Sequence, residues 1–159
     1  MLGLCTLVLL GALLCAPAGS GLTVRDGETG AVLLALPLAD GESFTLRYTH
    51  SVNRSDVTDT IVRQGDALVC TQTSFTAYGV GIPVLADGIG TAFEQTEDGF
   101  LLTGIDKVQS SIPLLTQEYP NQRILLRGRE ISLVELAGSG RLLELAIGTM
   151  TLPALLRGH

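Results

Sequence analysis

Few residues in this chain could do chemistry, and they gather in two short motifs. The first is Tyr48-Thr49-His50-Ser51-Val52, with Asp59 downstream of it. The second is Tyr78-Gly79-Val80-Gly81-Ile82-Pro83. Apart from the terminal His159, His50 is the only histidine. A histidine, a serine and an aspartate are the ingredients of nucleophilic hydrolysis, which needs the nucleophile within hydrogen-bond reach of its base. On a strand, successive side chains point to opposite faces. Phe44, Leu46, Tyr48 and His50 then share one face and Ser51 points away from them. No Gly-x-Ser-x-Gly elbow occurs either. A hydrolase ranks last among the readings.

Asp59 offers more. Asn53-Arg54-Ser55 reads as the tip of a loop between two strands, and pairing across it would bring His50 and Asp59 to nearby rungs. A carboxylate accepting from the imidazole would fix its tautomer. Such a pair has two readings. One is a ligand-contacting or pH-sensing site; the other is a polar clasp that satisfies a half-buried histidine, as buried polar groups generally require.

Metal chemistry lacks a donor set. With two histidines and, outside the leader, the single Cys70, no tetrahedral zinc site can be assembled at familiar spacing. No Asp-x-Asp-x-Asp-Gly loop is present for calcium. Neither a metal nor another cofactor is expected. Cys70 sits in a strand-like run, where a small buried apolar side chain is the expectation.

The second motif places Gly79 and Gly81 at alternate positions, the mark of a turn with positive φ or a close backbone approach. Pro83 pushes Ile82 toward extended geometry. A Walker lysine and a following helix are both missing, so this is no phosphate loop. It reads either as a tight crossover between sheets, with Tyr78 over the core edge, or as an exposed docking loop.

The elements that must hold these motifs are strands. Period-2 alternation runs from Leu22 onward, over Phe44–Thr49, Val57–Val62, Leu68–Phe75, Phe100–Leu102, Ile124–Leu126, Ile131–Leu136 and Leu142–Met150. Turn signals separate them: Asp26-Gly27, Asp40-Gly41, Gly65-Asp66, Asp87-Gly88, Asp98-Gly99, Arg127-Gly128 and Gly138-Ser139-Gly140. Residues 105–121 read as loop with short extended pieces. Thr151–Leu156 reads as one closing helical turn capped by Thr151. The prediction is an all-β, single-domain antiparallel sandwich or barrel of about 8–10 strands, with at most one short helical turn.

The first segment stands apart from that domain. Leu2–Ala16 is almost unbroken apolar sequence, short of the roughly 20 residues that span a membrane. It ends at Ala16-Pro17-Ala18, the small-x-small pattern of signal cleavage. The expected organisation is a signal peptide over 1–18 and one β domain over 19–159. An uncleaved N-terminal anchor stays open, because the n-region has no Lys or Arg. So does a start site placed too far downstream. A lipoprotein at Cys15 ranks behind cleavage, since Leu14 stands where a small residue is usual. The formal charge of −6 argues against nucleic acid, which is bound through Lys and Arg contacts to phosphate, and against docking on anionic lipid.

Taken together, Tyr48, His50, Ser51 and Val52, then Asp59, then Tyr78, Gly79, Gly81 and Pro83 resemble a bacterial family of uncharacterised exported domains. Its pattern is aromatic-x-His-Ser-Val, an acidic residue, then aromatic-Gly-Ala-Gly-x-Pro; Val80 stands here in place of the alanine. Members are encoded beside, or fused to, TAXI-type TRAP transporters of organic acids and related solutes. The resemblance covers roughly Leu22 to Met150. It implies an accessory, non-enzymatic role in solute uptake, in the periplasm or on the outer side of the cytoplasmic membrane. The partners it implies are the transporter's membrane component or its solute-binding protein. It carries no assigned catalytic residues. The alternative is a stand-alone binder of a small organic acid that uses the same motif residues.

Overall fold

Alternating β-branched and polar residues, cut by glycine turns, build a sandwich-like domain of strands in two antiparallel sheets. The computed structural model describes residues 17–77 and 90–151. In chain order these form β1 (Pro17–Asp26), β2 (Val32–Pro37), β3 (Ser43–Thr49), β4 (Asp56–Gln64), β5 (Ala67–Phe75) and β6 (Ala92–Thr96). They continue through β7 (Gly99–Gln109), β8 (Ser111–Leu115), β9 (Arg123–Leu126), β10 (Arg129–Ser132), the short helix α1 (Leu133–Ala137) and β11 (Leu142–Thr151). One sheet has four strands in the order β2-β1-β11-β8. The other has seven, in the order β10-β9-β3-β4-β5-β7-β6.

The core lies between the sheets. Leu22, Val24, Leu34, Leu36, Leu143 and Leu145 of the smaller sheet pack with Phe44, Leu46, Ile61, Leu68 and Ile124 of the larger. A second cluster, Val57 and Phe75 with Tyr48, Phe93 and Phe100 against them, continues the apolar face of the larger sheet. There the Phe75, Phe93 and Phe100 rings stack, with centroids 5.5 Å apart for Phe75–Phe100 and 5.6 Å for Phe93–Phe100. Asp26 shapes the β1–β2 turn: one carboxylate oxygen accepts from the N–H groups of Glu28 and Thr29, and the other from the Arg141 guanidinium. The Arg127-Gly128 turn joins β9 to β10 with positive φ at both residues (51° and 76°), the two-residue hairpin geometry that suits strand twist.

Two local expectations are overturned. The alternation over Ile131–Leu136 is strand only as far as Ser132. Ser132 then caps α1, its hydroxyl accepting from the Glu135 N–H at 3.3 Å, and Leu133 is fully buried. Residues 105–121 are not mainly loop, because β7 runs on to Gln109 and β8 follows after the single residue Ser110. The chain changes sheet at that point, since β7 belongs to the larger sheet and β8 to the smaller. Pro113 is accommodated because β8 is an edge strand, where a missing N–H costs no ladder bond. The expected leader over 1–16, the 78–83 motif and the helical turn beyond Thr151 lie outside the described residues; Thr151 itself closes β11. Among the described residues no helix is long and apolar enough to cross a membrane.

Candidate functional site

Beside the core, where the chain turns from β7 into β8, the two sheets enclose a cavity of about 460 Å3. Its walls come from both sheets. Leu46, Tyr48 and His50 enter from β3 and the residue after it; Val57, Asp59 and Ile61 from β4; Cys70, Thr73 and Phe75 from β5. Ile105, Lys107 and Gln109 enter from β7, and Ile112 and Pro113 from β8. The face shared by Leu46, Tyr48 and His50 is the one that alternation predicts.

On β5 simple alternation fails. Thr60 pairs with Gln72 but Ile61 pairs with Cys70, so Thr71 is an extra residue, a β-bulge. Its hydroxyl donates to the Thr60 carbonyl at 3.3 Å. The bulge shifts the parity of the strand. Leu68 and Cys70 on one side of it, and Thr73 and Phe75 on the other, all turn inward. β7 is irregular at the same level: Cys70 faces Lys107 while Gln72 faces Thr103. Asp106 and Gly104 take positive φ there (48° and 66°). These shifts put Thr73 opposite Asp59 and bring Lys107 to the cavity.

Of the residues singled out in the sequence, the structure gathers Tyr48, His50 and Asp59 around this cavity. Ser51 is exposed in the β3–β4 turn and does not line it. Tyr78, Gly79, Gly81 and Pro83 lie outside the described residues; the strands that flank them, β5 and β6, belong to the same sheet. The His50–Asp59 clasp is not formed. Asp59 stands opposite Leu46 in the ladder, whereas the His50 N–H donates to the carbonyl of Ser55 at 2.8 Å. Four residues of strand separate the two levels, about 13 Å at 3.3 Å per residue. His50 Nδ1 instead accepts from the N–H groups of Val52 and Asn53 at 3.3 and 3.4 Å, tying the turn together. That bond leaves Nε2 to carry the ring proton.

Asp59 takes its hydrogen bond from the Thr73 hydroxyl. Burial pushes its carboxyl above the ordinary aspartate range, while the Thr73 bond and the positive charge of Lys107 pull it partly back. Tyr48 is raised too, first by burial and then by the charge of Asp59, so its phenol keeps its proton. The Cys70 thiol is pushed up to about 11, chiefly by burial and then by Asp59. Its Sγ lies 3.7 Å from the Gln72 carbonyl. A thiol this basic is a poor nucleophile at neutral pH.

Sequence reasoning missed Thr73, Lys107, Gln109 and Ile112, and placed Cys70 in the core, whereas it is half-buried on the cavity wall. Alternation around Asp59 could have flagged the opposite strand, but the bulge that selects Thr73 leaves no local signature. Among the described residues no three His, Cys, Asp or Glu side chains cluster as metal ligands. What the arrangement can do is hold a small molecule. It has apolar walls, a few convergent polar groups, and a volume within the roughly 300–1,000 Å3 of ligand pockets.

A profile of the family described as "Domain of unknown function (DUF1850)" matches residues 44–133. Every residue that lines the cavity falls inside that span. No curated protein and no solved structure matches the chain.

Proposed function

The chain belongs to the DUF1850 family, and from that premise we propose that it is an exported, non-enzymatic accessory protein of a TAXI-type TRAP solute uptake system that works by binding a small solute. Export and transport association rest on the apolar leader and on the motif resemblance. Solute binding rests on one observation, the cavity between the sheets with Asp59, Thr73, Tyr48 and Lys107 set among apolar walls. A non-enzymatic role accords with the same geometry. Ser51 lies away from the cavity, His50 Nδ1 is committed to the turn, and Cys70 is held as a thiol.

The test is a thermal-shift screen of the purified chain against small organic and amino acids, repeated with Ile112→Trp to fill the cavity. A ligand at 100 times its Kd adds about 2.7 kcal/mol of stability. The reading expects a shift in the native chain that the tryptophan abolishes. A shift that survives the tryptophan would move the site elsewhere.

Partner docking is the second reading. Leu115 and Leu142 are cross-strand neighbours and remain 48% and 43% exposed, beside the outer edge of β8. Co-purification with the transporter components that is lost in Leu115→Glu, while the cavity variant keeps it, would favour docking over solute binding.

A further inference from the structure

Asp59 and Lys107 place opposite charges on one cavity without joining them. Asp59 projects from β4 and Lys107 from β7, with β5 between. The ladder sets Asp59 opposite Thr73 and Lys107 opposite Cys70. Two strand spacings and the offset along β5 part their Cα atoms by about 12 Å. Lys107 acts on Asp59 through its field, whereas Thr73 acts through a hydrogen bond. An ionised carboxylate has about four acceptor positions, and Thr73 fills one of them. Asp59 is half-buried against Leu46, Val57 and Ile61, where each missing donor costs more than it would in water. Lys107 is exposed, with water available to its ammonium.

On the reading that this cavity is a ligand site, we propose that its ligand is a zwitterion of amino-acid type with an apolar body. Its ammonium is received by Asp59 and its carboxylate by Lys107. The apolar body lies on Ile61, Phe75, Ile105 and Ile112. A plain organic acid fits this charge pattern poorly. Its carboxylate gains Lys107 but lies in the same cavity as Asp59, which still lacks donors. A plain amine fits better, since Asp59 is served and Lys107 stays hydrated. Binding should therefore fall in the order zwitterion, amine, acid, the reverse of what a carboxylate-selective site would give.

Isothermal titration of the full chain with L-leucine, isoamylamine and isocaproate separates these cases, because the three share an apolar body and differ in their charged groups. Leucine should bind at least about tenfold more tightly than isocaproate, the usual scale for a site whose polar group is left unpaired. Asp59→Asn should collapse that ratio toward one. Lys107→Met, at an exposed position that the fold does not depend on, should weaken leucine and leave isoamylamine unchanged. Isocaproate binding as tightly as leucine, with no response to Asp59→Asn, would overturn the zwitterion while leaving a ligand cavity in place. If none of the three probes binds and Ile112→Trp alters nothing in the wider solute screen, both the zwitterion and the cavity reading fail.

Discussion

Thr73 donates its hydroxyl to Asp59 from directly across the β4–β5 ladder, and no other hydrogen bond reaches that carboxylate among the described residues. The pair sets how the cavity responds to pH. A carboxyl whose folded value lies above its unfolded one binds its proton more tightly in the folded protein. Its contribution to stability is therefore complete below the ordinary value of 3.8 and is lost as pH rises through the folded value. Asp59→Asn should be more stable than the native chain at neutral pH, and the gap should close toward pH 3. Thr73→Val removes the one donor and should cost about 1–2 kcal/mol at pH 7, less in acid. Thermal melts across pH 3–8 check both, and a pH-independent gap for Asp59→Asn would refute the assignment.

Asp26 shows the opposite sign. The Arg141 guanidinium, and then the backbone and hydroxyl of Thr29, hold its carboxyl far below the ordinary value of 3.8. Stability from this group is present above 3.8 and drains away as pH falls below it. Asp26→Asn should lower the melting temperature at pH 7, and the deficit should shrink in acid. Arg141→Met should reproduce the deficit, because it removes the leading cause.

Cys70 provides a chemical readout of the cavity. With its thiol pushed up to about 11, the reactive thiolate is scarce at pH 8. Iodoacetamide should label the native chain slowly there and faster as pH approaches the thiol's own value, while the unfolded chain labels promptly. Fast native labelling at pH 7 would contradict the burial that raises it.

Gly99 supports the aromatic cluster from the β6–β7 turn. Its φ of +143° is one that side chains rarely adopt, and a Cβ there would stand 2.3 Å from the Phe75 carbonyl oxygen. Gly99→Ala should cost about 2–3 kcal/mol, as forced backbone shifts in packed regions do. Denaturant melts measure the loss. Near-ultraviolet circular dichroism should change with it, because Phe75 and Phe100 stack beside that turn.

Much of this molecule is legible in its residues taken alone. Alternation assigns an antiparallel all-β fold, and Arg127-Gly128 announces its hairpin. Leu46, Tyr48 and His50 fall on one face because side-chain direction on a regular strand depends only on parity. Those are local properties, set by each residue and its near neighbours. The site is not local. Thr73 meets Asp59 because Thr71 bulges out of β5, and a bulge is chosen by the fit of two strands to a third. Lys107 reaches the cavity through the matching irregularity in β7, from more than thirty positions down the chain. The strand expected through Leu136 became α1 because Leu133 could be buried and Ser132 could cap the turn. The His50–Asp59 clasp failed for the same reason that the others formed. Pairing register belongs to two strands at once and is decided by which faces the core can bury, so only the tertiary structure could say which charged groups share one cavity.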